Sequence, residues 1–97
     1  MTPSITLMVP IRAQAEHGAR VKQRLVEMAE LTRRESGNIF YTVHEVENRP
    51  AMFLVYEQWR DQAALDFHMK QDYLRQFLEE SRAWLVEEIA GLFCREI

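Results

Sequence analysis

Asn38-Ile39-Phe40-Tyr41-Thr42-Val43-His44-Glu45 and Ala51-Met52-Phe53-Leu54-Val55-Tyr56-Glu57-Gln58-Trp59 decide the fold. Both stretches are rich in aromatic and β-branched residues. Between them lies the polar turn Glu47-Asn48-Arg49-Pro50, so the pair reads as a β-hairpin. Strand side chains alternate between the two faces of a sheet. In the second strand Phe53, Val55 and Trp59 share one face, and Met52, Leu54 and Tyr56 share the other. In the first, Phe40, Thr42 and Val46 oppose Ile39, Tyr41 and Val43. A sheet with one wet face alternates cleanly between apolar and polar residues, and this one does not. Both of its faces need a cover.

The flanking sequence supplies one cover. Ile5-Thr6-Leu7-Met8-Val9-Pro10-Ile11 alternates on its odd positions and predicts a strand, with Pro10 implying an edge or a bulge. A helical pattern follows from about Gly18 to Glu35. Val21, Leu25, Met28 and Thr32 lie on one face, widened by Ala29 and Leu31, and Gly37-Asn38 stops it. After the hairpin, Asp61 offers an N-cap for a short helix through Met69. Asp72 offers another for a piece carrying Leu74, Phe77, Leu78, Ser81 and Leu85 on one face. The tail from about Glu88 to Glu96, with Ile89, Leu92, Phe93 and Cys94, reads as a last strand that Gly91 weakens. The order is βαββαβ: an α+β, ferredoxin-like antiparallel sheet, with residues 1–97 as one domain. Two helices cover one sheet face. A twofold-related second sheet is the simplest cover for the other, so a homodimer is expected.

Composition narrows the function. The chain has 97 residues, 47% apolar and 28% charged, with formal net charge -3. That is an ordinary globular balance for one domain. Arg20, Lys22, Arg24, Arg33 and Arg34 alternate with Glu27, Glu30 and Glu35, which reads as a solvated helix face. No basic stripe suggests nucleic acid. No apolar run reaches the roughly 18 residues that span a bilayer. Met1-Thr2-Pro3-Ser4 lacks a basic region followed by an apolar stretch, so no signal peptide is expected. The single Cys94 excludes an internal disulfide or a Cys-pair zinc site and suits a reducing cytoplasm.

Few residues are left to carry chemistry. Gly18, Gly37 and Gly91 are too scattered for a phosphate loop, and His17, His44 and His68 have no metal-binding spacing. Neither metal, flavin nor haem is expected. There remain Glu57 and Trp59 on one strand face and His68 near the apolar stripe of the next helix. A carboxylate, an indole and an imidazole in a helix–sheet cleft make a pocket with a general base. The plain alternative is that Trp59 is core, Glu57 sits at a strand end and His68 is a satisfied boundary residue. Spacing alone favours that alternative.

Arg33-Arg34-Glu35-Ser36-Gly37-Asn38-Ile39-Phe40-Tyr41-Thr42-Val43-His44-Glu45 resembles the helix-to-strand passage of the antibiotic biosynthesis monooxygenase domain family, where an acidic residue, a Gly and often an Asn precede a strand Tyr. Phe53 to His68, with Glu57, Trp59, Ala64-Leu65 and His68, resembles that family's second signature. The resemblance implies a dimeric α+β barrel. It also implies a range of activities: cofactor-independent oxidation of polycyclic or quinol-type aromatics, haem degradation, or isomerisation of a phosphorylated signal. Tyr73 to Leu85 contains no His, and the first strand contains no Asn. Both mark the haem-degrading branch, so haem is set aside.

The leading expectation is a cofactor-independent monooxygenase using a phenolic or quinol-like substrate and molecular oxygen. His68 is the base or hydrogen-bond partner, Glu57 orients it, and Trp59, Phe67, Tyr73 and Phe77 are walls. Tyr41 and His44 are weaker candidates, because a one-residue register slip moves them between pocket and dimer side. The second expectation is a non-catalytic dimer that binds a small aromatic or acts in stress response.

Overall fold

The structure is a computed structural model and describes residues 4–97. Met1, Thr2 and Pro3, three of the four residues read for a leader, lie outside the described residues. The elements are β1 (Ile5–Arg12), α1 (Gly18–Thr32), β2 (Asn38–Glu45), β3 (Met52–Trp59), α2 (Gln62–Met69), α3 (Asp72–Glu80) and β4 (Leu92–Cys94). They form an antiparallel sheet of order β2-β3-β1-β4 with the helices on one face. This is the ferredoxin-like α+β arrangement with its second helix broken in two. No helix among the described residues is long and apolar enough to cross a membrane.

Pro10 lies in a strand flanked on both sides, yet it breaks no ladder. The Ala13 N–H donates to Ala51 O on the β3 side, and Arg12 O accepts from Val86 on the other side. By alternation the Pro10 nitrogen faces away from β3. β4 pairs only with Thr6, Leu7 and Met8, so β1 is a local edge at Pro10 and no donor is missed.

The phase of β2 is set by a bulge. Asn38 pairs with Trp59, but Phe40 pairs with Gln58. Ile39 is therefore the extra residue, and it is exposed. Beyond it Tyr41 and Val43 lie opposite Glu57 and Val55, pointing at the helices with Leu7, Ile11, Phe53 and Trp59. Phe40, Thr42 and His44 fall on the outer face beside Tyr56 and Leu54. The alternative left open by the sequence is thus resolved: Tyr41 points in and His44 points out.

α1 buries Val21, Leu25, Met28, Ala29 and Thr32 as its periodicity predicts, while Leu31 is exposed. It ends at Thr32, short of the expected Glu35. The chain turns at once, with Glu35 N–H donating to Thr32 O and Asn38 N–H to Glu35 O. Gly37 then passes so close to α2 that a Cβ there would sit 2.3 Å from Ala64 Cβ. Gly37→Ala is expected to cost about 1–3 kcal/mol in a chemical melt, as overpacking does. The compensating Ala64→Gly change should recover most of the loss. A single variant as stable as the parent would contradict this close approach.

Asp61 caps α2 as expected, its Oδ1 accepting from Ala64 N–H at 2.9 Å. The cap of α3 is a correction. Gln71 holds that position with no side-chain bond, and Asp72 is the first helical residue, near the positive helix end. The last strand is also shorter than the expected 88–96. A Cβ at Gly91 would meet the Leu7 and Val9 side chains at 3.2 and 3.5 Å. The chain therefore crosses the inner face there before it can join β1 at Leu92.

Candidate active site

Four elements converge beneath α2. β3 delivers Glu57 and Trp59 to the inner face, and β2 delivers Tyr41. α2 turns back over them and buries His68 with Ala64 and Leu65. The turn after α1 contributes Glu35, and α3 contributes Tyr73 and Phe77. The His68 ring stacks on Trp59 at 4.5 Å between centroids, tilted by 33°. Tyr41 and Tyr73 each stand 6.2 Å from the same ring.

Hydrogen bonds fix the imidazole. His68 Nδ1 lies 2.8 Å from Glu35 Oε2. A carboxylate can only accept, so Nδ1 carries the hydrogen and Nε2 is the acceptor of the neutral ring. Tyr73 donates its hydroxyl to the same Glu35 oxygen, with Thr32 Oγ1 3.3 Å away. Glu35 Oε1 is buried and meets no donor among the described residues. Glu57 Oε1 accepts from Trp59 Nε1–H at 2.8 Å.

A cavity of about 330 Å³ opens between the inner sheet face, α2, α3 and the tail. Its walls are mostly apolar, among them Leu7, Val55, Leu74, Phe77 and Phe93. Its polar lining is Tyr41, Glu57 and His68, with Gln62 and Asp66 on the exposed rim. Mostly apolar walls with a few convergent polar groups are the usual form of a small-molecule site.

Glu57 and His68 share this cavity, and Tyr41 and Phe77 line it with them. Trp59 does not line it but forms the floor under His68. Several expectations need correction, Trp59 as a wall among them. Glu57 does not hold the His68 nitrogen; Glu35 does, because the tight turn through Gly37 brings it against α2. Phe67 is exposed, since it is one residue from the inward His68 on a helix and so projects elsewhere. His44 is exposed on the outer face, 3.1 Å from Thr42 Oγ1. Tyr73 reaches Glu35 and lies outside the cavity lining. Composition places Glu35 on a solvated helix face, yet its side chain is only 7% exposed. The one sequence signal for it was its place ahead of Gly37, Asn38 and Tyr41.

Burial dominates the electrostatics. Desolvation pushes the Glu57 carboxyl up from its ordinary value, reinforced by Glu35 and opposed by the Trp59 hydrogen bond and by His68. Desolvation also raises Tyr41, with Glu57 adding to it, and raises Tyr73, with the hydrogen bond to Glu35 adding to it. Both phenols therefore stay neutral donors at physiological pH.

The antibiotic biosynthesis monooxygenase family model matches residues 4–80, most of the chain and every residue of this site except Ile89, Gly91 and Phe93 of the tail. The chain belongs to the antibiotic biosynthesis monooxygenase family. Solved structures agree. PA3566 from Pseudomonas aeruginosa is 28% identical, with TM-score 0.87 over 99% of this chain and 98% of that one. A Deinococcus radiodurans structure carrying the family's name is 27% identical, with TM-score 0.84 over 96% and 94%. Rv0793 from Mycobacterium tuberculosis, at 17% identity, shares the fold with TM-score 0.90 over 98% and 96%. The Synechocystis protein sll1783, itself uncharacterised, is 42% identical over 52 residues; that match covers 54% of this chain and about a third (35%) of that protein.

For this antibiotic biosynthesis monooxygenase family member the raised Glu57 has a measurable consequence. The folded chain holds the Glu57 proton more tightly than the unfolded chain does. Stability therefore falls as pH rises from the ordinary value of 4.5 through the folded-state value. Glu57→Gln removes that loss and keeps an acceptor for Trp59. It is expected to melt higher than the parent above about pH 5, with the difference vanishing in more acid buffer. A melting point below the parent's at pH 7 and equal at pH 4 would reverse the sign.

Proposed function

We propose that this chain is a cofactor-independent monooxygenase of a phenolic or quinol-type aromatic. One observation carries the reading: His68, fixed through Nδ1 by a buried carboxylate, lines an apolar cavity together with Tyr41 and Glu57. Its Nε2 is the acceptor, placed to take a hydroxyl proton. The positive charge then formed on the ring lies against Glu35, and the indole of Trp59 keeps the ring in plane. Tyr41 donates to the substrate oxygen, and the apolar walls exclude water from the electron-rich anion.

The electrons come from the substrate. Its deprotonated form reduces dioxygen, a ring carbon bonds one oxygen atom, and the O–O bond breaks as water leaves. For a simple phenol the sum is phenol plus dioxygen giving quinone plus water. The C–H and O–H bonds are lost, two C=O bonds stand in the product, and dioxygen takes all four electrons. Oxygen uptake against a panel of quinols, with His68→Ala as control, tests this. Saturable binding with no uptake across the panel would instead support the non-catalytic aromatic-binding reading.

The working unit in this proposal is a homodimer. The outer sheet face carries Met8, Leu54 and Leu92 around a Phe40–Tyr56 edge-to-face pair at 4.7 Å. A second copy of the same face covers it symmetrically. Sedimentation is expected to give a dimer at micromolar concentration, and a monomer there would contradict it.

A further inference from the structure

We propose that the cavity admits uncharged hydroxyaromatic ligands and rejects the same skeleton once it carries a carboxylate or phosphate. The inference rests on taking this cavity as the substrate site. It comes from the charges on its walls. The ionisable acids lining it are Glu57 and Asp66, and none of its described lining residues is Lys or Arg. Glu35 adds a third carboxylate behind His68. Arg33 donates to Tyr41 O at 2.9 Å, but its side chain is exposed and lies outside the lining.

An anion entering this space loses its hydration and finds no Lys or Arg on the described lining, while the one basic ring there, His68, is already engaged by Glu35. It also meets the carboxyl groups of Glu57 and Asp66, neither of which can supply positive charge to an anion. A neutral ligand pays neither cost. The Tyr41 hydroxyl can donate to a ligand oxygen, and His68 Nε2 can accept from a ligand hydroxyl. No partner among the described residues occupies either atom. The polar inventory therefore suits a neutral ring bearing a hydroxyl, and a carbonyl or second hydroxyl would satisfy Tyr41.

The test is calorimetric binding of naphthol, hydroxynaphthoate and naphthyl phosphate at pH 7 under nitrogen. Naphthol is expected to bind saturably, and both anions about tenfold or more weaker. Met69 lines the rim and is half exposed, so Met69→Arg should leave folding intact. It should raise the affinity of both anions several-fold relative to that of naphthol. Anions binding within about twofold of naphthol, or naphthol failing to saturate, would overturn the proposal. Selective naphthol binding without oxygen uptake from any quinol would remove the monooxygenase reading and keep this one. Uptake that is equal for neutral and carboxylated quinols would do the reverse.

Discussion

His68→Asn is expected to lower substrate-dependent oxygen uptake by about 10²–10⁴-fold, the usual contribution of a positioned general base. Asparagine is the informative replacement because its amide nitrogen stands close to where Nδ1 stood. The bond to Glu35 can persist, while the acceptor at Nε2 is gone. The folded structure, followed by circular dichroism and melting, should be nearly unchanged. If His68 takes the hydroxyl proton, turnover in the variant should recover as pH rises and substrate ionises in solution. Uptake within about threefold of the parent at neutral pH would mean that the proton leaves by another route.

The largest effect on stability is expected at Trp59. It is fully buried, packs at a tilt beneath His68 and donates to Glu57. Trp59→Ala removes a large core side chain and leaves a buried carboxylate oxygen without its donor. Such truncations cost about 3–5 kcal/mol. For a domain of this size each kcal/mol moves the midpoint by about 4–8 °C, so a fall of roughly 15 °C or more is expected. Melts must be compared at one protein concentration. Trp59→Phe keeps an aromatic floor and should lose much less. An alanine variant within about 2 °C of the parent would show that the site does not rest on this residue.

The hairpin, the N-terminal strand and the first helix were legible because burial imposes periodicity. Val21, Leu25, Met28 and Thr32 recur at helical spacing, and Phe53, Val55 and Trp59 at strand spacing, and all are buried. His68 was legible for the same reason, sitting on its helix's apolar stripe. The phase of β2 was not, because the Ile39 bulge leaves no mark in an apolar run that reads as strand on both faces. Glu35 was hidden more deeply. It is separated from His68 by 33 residues and follows two arginines, so local composition describes a wet helix end. Only the turn through Gly37, pressed against Ala64, swings it inward. Glu57 looked like the partner of His68 because it shares the cavity. Its nearest donor was two positions along its own strand, at Trp59.

Labelled dioxygen shows most directly where the oxygen atoms go. The protein, dialysed against a chelator and given no flavin or metal, is supplied with a turned-over quinol or phenol under isotope-labelled dioxygen. One labelled atom is expected in each product molecule and the other in water. Unlabelled product, with the consumed dioxygen recovered as hydrogen peroxide, would contradict it.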